Sequence, residues 1–219
     1  MTTSTDLHQL RTSKNDTLRE IHLYLSSDLQ LPSCPIAAAL PEISARISEN
    51  FSELHYLPRD ESPIPGVIKF KRHVKSRYDH DRKAWIPIPE PKWEWEGTIL
   101  LVTTAEDVTD LISNDGLREW VGDARLALEM KPTQQLIIMI KGLVKYYSKL
   151  KSKQNKEYTA AARAGLEGKD HSGSSAAKVV NQIGREQIET ELAMTQMETK
   201  CFLVHGELQP SIPHAELKS

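Results

Sequence analysis

The chain has 219 residues, enough to bury a full core as one domain with irregular appendages, so two domains are not required. A formal net charge of -2 excludes a generally basic nucleic-acid coat protein, and any DNA or RNA affinity has to come from local patches. Two cysteines, Cys34 and Cys201, lie far apart without C-x-x-C or paired-histidine spacing, the usage of a reduced intracellular compartment.

The first residues are polar (Thr2, Ser4, Asp6, Arg11, Lys14, Asp16) and predict a disordered lead-in over 1–19 with no secretory signal. No run approaches the roughly 18 apolar residues of a membrane-spanning helix, which predicts a soluble chain. Ile21, Leu23 and Leu25 alternate with His22 and Tyr24, the period of a strand, and Ser26-Ser27-Asp28 ends it. Pro35 suits a first helical turn, and Ile36, Leu40, Ile43, Ile47 and Phe51 follow at three- and four-residue spacing. A second strand is expected over Glu53 to Leu57, and Pro63-Ile64-Pro65-Gly66 introduces a third over Val67 to Val74. Pro87, Pro89 and Pro91 around Trp93 and Trp95 predict an extended connection.

The nearly continuous apolar run Thr98 to Thr103 has the pattern of a strand covered on both faces and belongs in the middle of a sheet. Helices are expected over Glu106 to Ile112 and Leu117 to Met130, with Pro132 closing the segment before a strand at Leu136 to Ile140. A long helix follows into Leu166. Gly165, Gly168 and Ser172-Gly173-Ser174-Ser175 mark a flexible loop over 165–180, then come a helix from Arg185 to Met197 and a last strand from Lys200 to His205. Strands alternating with helices make the chain α/β, a sheet layered with helices over 20–206, with a polar tail at 207–219.

Two basic stretches stand out. Lys141, Lys145, Lys149 and Lys153 recur every four residues, a slowly drifting stripe on a helix, with Lys151, Lys156 and Arg163 widening it and Leu143, Tyr147 and Leu150 on the core side. A row of cations on a rigid helix suits a row of phosphates, because each neutralised phosphate releases a condensed counterion. The same spacing also describes the solvated face of an amphipathic helix. Between Lys69 and Lys83 lie Lys69, Lys71, Arg72, His73, Lys75, Arg77, Arg82 and Lys83, with Tyr78 and Trp85 beside them. That patch reads either as a grip on a phosphate backbone or as edge charges that block unwanted strand pairing.

Metal-dependent phosphodiester chemistry needs carboxylates converging on a divalent ion, often with a lysine nearby. Asp123, Glu129 and Lys131 supply such groups but fall in a helical pattern rather than at strand ends. The histidines show no H-x-x-x-H or H-x-H spacing, so no metal site is expected. Neither a phosphate-binding glycine loop nor a G-x-S-x-G nucleophile turn occurs.

Several stretches carry a resemblance: His22-Leu23-Tyr24-Leu25-Ser26-Ser27-Asp28, Gly66 to Arg72, Thr98 to Ile112, and Leu136 to Gly165, above all Leu150-Lys151-Ser152-Lys153-Gln154-Asn155-Lys156-Glu157-Tyr158 with Ala160 to Arg163. They resemble the nuclease-like domain of the XPF family, nearest to its non-catalytic subunits, the essential meiotic endonuclease type of fungi. The resemblance implies a restriction-endonuclease-like central sheet flanked by helices. Active members carry G-D and then E-R-K-x-x-x-D after a central strand, where the acids hold magnesium or manganese. Here the corresponding positions hold Pro65-Gly66-Val67, then Thr104, Ala105 and Glu106, with Asp110 at the last aspartate. Only the final aspartate, Asp110, matches the motif, and one matching acid in place of a cluster implies no catalytic residue and no cofactor on this chain, with the Mg or Mn ion in a catalytic partner.

The resemblance therefore implies a nuclear, non-catalytic subunit of a heterodimeric structure-specific endonuclease acting on flaps, forks and nicked Holliday junctions in repair and meiotic recombination. Its partners would be a catalytic XPF-family subunit and branched DNA, with no membrane. DNA contacts are expected at Lys69, Lys71, Arg72, Lys145, Lys149, Lys153, Lys156 and Arg163. Two other readings remain open: an independent metal-dependent nuclease using Asp110, Asp123 or Glu129, and an interaction scaffold without DNA binding. Family members continue into a tandem helix-hairpin-helix region; the sequence ends at Ser219 without one, the expectation for a fragment or shortened relative.

Overall fold

The alternating segment at Ile21 forms β1 (Ile21–Ser26), which lies between two neighbours in a mixed six-stranded sheet of order β2-β1-β3-β4-β5-β6. The computed structural model describes residues 14–34, 36–49, 52–166 and 183–206. Helix α1 (Lys14–Arg19) occupies the end of the expected lead-in; residues 1–13, most of the expected loop at 165–180, and the tail at 207–219 lie outside the described residues. Strands β2 (Glu53–Leu57), β3 (Val67–Asp79), β4 (Ala84–Thr104), β5 (Gln135–Lys141) and β6 (Phe202–Gly206) complete the sheet. β1 pairs parallel with β2 and antiparallel with β3, β3 antiparallel with β4, and β4–β5 and β5–β6 parallel.

Because side chains alternate across a strand, the apolar runs feed two cores. On one face Val67, Ile99, Leu101, Leu136, Ile138 and Ile140 meet α3 (Ala105–Ser113), α4 (Leu117–Ala127), Leu143 of α5 (Leu143–Leu166) and Ile188 of α6 (Arg185–Thr199). On the other, Leu25, Ile68 and Val102 pack with Leu29 and Ile36. Burial on both faces explains why Thr98–Thr104 lacks polar alternation: this part of β4 sits between β3 and β5.

Element boundaries differ from the sequence expectation in several places, three of them larger than a shift of a residue or two. The first amphipathic helix, α2 (Leu40–Glu49), starts after a 3-10 turn at Ala37–Ala39, with Pro41 in its first turn; Pro35 and Phe51 lie outside the described residues. Helix α4 stops at Ala127 instead of Met130, because Glu129 takes a positive φ of 51° and the amide of Met130 turns back to the carbonyl of Arg125. The largest correction is the proline segment, which is not a connection but half of a long β3–β4 hairpin. Prolines are tolerated there because β5 begins pairing only at Thr98, leaving the preceding stretch of β4 with a free edge, and because the register slips between Val74 and Ser76.

Gly66 opens β3 and requires its lack of a side chain. Its φ is +81°, and a Cβ there would stand 2.3 Å from the Val102 carbonyl oxygen. This close approach brings the start of β3 against β4, with the Val102 amide donating to the Gly66 carbonyl at 2.8 Å.

Candidate nucleic-acid interface

Helix α5 grows directly out of β5 through Gly142, whose φ of +84° makes the turn. Leu143 and Leu150 are buried and Tyr147 packs against the core, as the spacing predicts. Arg185 of α6 lies over the Tyr147 ring at 4.9 Å, and burial pushes the Tyr147 hydroxyl pKa up. Past Leu150 every residue from 151 to 160 is exposed, Tyr158 among them. Lys145, Lys149, Lys153 and Lys156 border one shallow groove with Ser148 and Ser152. Lys149 is 3.6 Å from Glu106 of α3, whereas Lys145, Lys153 and Lys156 form no ion pair with a described residue. Arg163 lies in the last turns of the helix, with its side chain outside the described residues.

The β3–β4 hairpin spends its cations differently. Lys75 pairs with Glu20 at 2.7 Å, Arg77 with Glu94 at 2.9 Å, Lys92 with Glu94 at 2.7 Å, and Arg72 with Glu96. At the tip the Asp79 carboxylate accepts from the amides of Asp81 and Arg82, and Lys83 takes a positive φ of 49° to close the turn. The bonds from Lys92 and Arg77 hold the Glu94 carboxyl below its ordinary pKa. Lys71 forms no ion pair with a described residue; its Nζ lies over the rings of Trp95 at 4.4 Å and Tyr24 at 5.0 Å. Lys69 forms no ion pair with a described residue. Of the three expected hairpin contacts, Arg72 is therefore neutralised within the sheet and Lys71 is engaged by aromatic rings.

Of the positions aligned with the nuclease motif, Pro65, Gly66, Thr104 and Asp110 line a cleft of ≈ 760 Å³ where β4 passes into α3, together with Asp28, Asp107 and Asp123 among others, whereas Ala105 and Glu106 do not. Thr104 is the N-cap of α3: its hydroxyl accepts from the Asp107 amide at 3.1 Å and donates to the Asp107 carboxylate at 2.6 Å. Ala105 is fully buried, and Glu106 turns out toward Lys149. The Asp28 carboxylate accepts from the Gly66 amide at 2.7 Å. Asp110 and Asp123 share this cleft; Glu129 lies in the turn after α4 and Lys131 bonds to Gln134 through its amide. Among the described residues, no three carboxylate or imidazole ligands of this cleft come within reach of one ion.

A cluster that the sequence reading missed lies where β1, β2, β3 and β4 run side by side. His22 lies against Trp93 in a tilted contact with centroids 3.7 Å apart, while His73 stacks on the same tryptophan at 5.0 Å and Tyr24 on His55 at 4.6 Å. His22 Nδ1 and His55 Nε2 are 3.3 Å apart, and the Glu53 carboxylate lies 3.2 Å from His55 Nε2 and 3.9 Å from His22 Nδ1. Burial lowers the His22 pKa, and Glu53 opposes that shift. The available signal was Glu53-x-His55, two residues on one face of a strand; that His22 stands opposite Glu53 follows only from the β1–β2 register.

No family model matches this chain, and no curated protein matches it. Among the described residues, no helix is long and apolar enough to cross a membrane.

Proposed function

We propose that this chain is the non-catalytic, DNA-contacting subunit of a heterodimeric structure-specific endonuclease with an XPF-type, restriction-endonuclease-like fold. It acts in the nucleus on branched DNA during repair and meiotic recombination, beside a catalytic XPF-family subunit that holds the Mg or Mn ion. The observation that carries this reading is the combination of a long exposed helix, on which Lys145, Lys153 and Lys156 form no ion pair with a described residue, and a cleft whose motif-aligned positions serve the fold. Thr104 caps a helix, Ala105 fills the core and Glu106 faces a lysine, which leaves the chemistry to a partner. A partner surface is available at β6, an edge strand on which Phe202 and Val204 are about half exposed.

Because Asp110 and Asp123 line one cleft, a second reading is an independent metal-dependent nuclease. One experiment separates the two. The purified chain should leave forks, flaps and nicked junctions intact with magnesium or manganese, and the complex with the catalytic subunit should cut them equally well with wild-type or Asp110→Ala chain. Cutting by the isolated chain that disappears in the Asp110→Ala variant would establish the nuclease reading instead.

A further inference from the structure

We infer that His22, Glu53 and His55 form a binding site for a first-row divalent transition-metal ion, of which zinc is the natural candidate. The site lies at the start of the parallel β1–β2 pair and is separate from the motif cleft, which Asp28 enters after the end of β1.

Geometry carries the inference. Zinc bonds to imidazole nitrogen and carboxylate oxygen are about 2.0–2.1 Å, and at tetrahedral angles neighbouring donor atoms stand about 3.3 Å apart. His22 Nδ1 to His55 Nε2 is 3.3 Å and His55 Nε2 to Glu53 is 3.2 Å, both at that spacing. The third side, Glu53 to His22 Nδ1, is 3.9 Å, and rotation of the exposed Glu53 side chain shortens it. All three ligand atoms lie within 4.8 Å of one another.

The rings are also held in place, which a ligand set requires. Trp93 packs closely against His22 in a tilted contact and Tyr24 stacks on His55, so each imidazole presents the observed nitrogen without losing much rotational freedom on binding. Two nitrogens and one carboxylate oxygen favour zinc, cobalt or nickel over magnesium or calcium, which take all-oxygen shells. Three protein ligands leave a fourth position, and it opens to solvent on the side of Glu53, whose side chain is 62% exposed. A bound ion would cross-link β1 to β2, the edge strand of this end of the sheet.

A hydrogen bond between the imidazoles with Glu53 accepting nearby gives the same distances without metal, and titration of the full-length chain distinguishes the two. Cobalt(II) should bind with one-to-one stoichiometry, give the visible absorption of a tetrahedral site, and be displaced by zinc. His55→Ala should abolish that spectrum. Glu53→Gln, at an exposed position where the fold is not at stake, should weaken cobalt and zinc binding by at least about tenfold. Zinc should raise the melting temperature of the wild-type chain, raise that of Glu53→Gln less at the same concentration, and leave that of His55→Ala unchanged. Absence of a tetrahedral cobalt spectrum in the wild-type chain, or equal affinity in wild type and Glu53→Gln, would overturn the site.

Discussion

Helix α5 and the β3–β4 hairpin are both rich in lysine and arginine, yet they place those charges in opposite circumstances. On the hairpin, Arg72, Lys75, Arg77 and Lys92 face Glu96, Glu20 and Glu94, and Lys71 rests on two aromatic rings. On α5, Lys145, Lys153 and Lys156 form no ion pair with a described residue, and residues 151 to 160 are all exposed. A cation already paired releases less when it meets a phosphate, because it must first give up its carboxylate. On the proposed reading, the density of basic residues in the sequence overstates what the hairpin would contribute to DNA binding, and the cations of α5 would contribute more.

The largest expected effect is on α5. Replacing Lys145, Lys149 and Lys153 together by Ala should lower the slope of log affinity against log salt by about 0.9 per lost phosphate contact, roughly 2–3 in all, for every branched DNA alike. Thermal stability should hardly change, since the sites are exposed and Ala is the better helix former. As the hairpin counterpart, Lys71→Ala should leave the salt slope unchanged and instead cost about 0.5–1 kcal/mol of stability, the worth of a cation over aromatic rings. The reverse pattern in salt titrations and melting curves would transfer the interface to the hairpin.

A smaller effect sharpens the same contrast. If Glu94 holds Arg77 and Lys92 back, Glu94→Gln frees both, and the salt slope should steepen by up to about 0.9 for each cation that then reaches a phosphate. An unchanged slope in a folded variant would mean that the hairpin lies beyond the DNA whatever its charge state.

The smallest effect is on pH dependence. The folded pKa of Glu94 lies below its ordinary value, so its ion pairs contribute fully above the unfolded carboxyl pKa of about 4.3 and are lost as pH falls through the lower folded value. The protection factors of hairpin amides, taken relative to the intrinsic exchange rate at each pH, should therefore fall on acidification through that range, and Glu94→Gln should remove part of the change. Amides of α5 beyond Leu150 have no equivalent pair and should not share the transition.

The alternation at Ile21, the unbroken apolar run at Thr98 and the helical spacing after Leu143 were sufficient to locate strands and a helix, because burial imposes those periods on the chain itself. They also established an α/β sheet and the buried side of α5. The proline-rich half of β4 was not legible, since proline disfavours a strand in general and only the free edge beside this one removes the objection. Which cations are spent was equally hidden: Glu20 meets Lys75 across 55 positions of sequence, and Glu94 reaches Arg77 only because the hairpin is longer than its turn signals suggest. The convergence of His22 with Glu53 and His55 depends on a parallel register between strands separated by a helix. Local periodicity reports which face of an element is buried; the identity of the groups facing each other across elements is set by pairing and packing, and only the tertiary structure decides it.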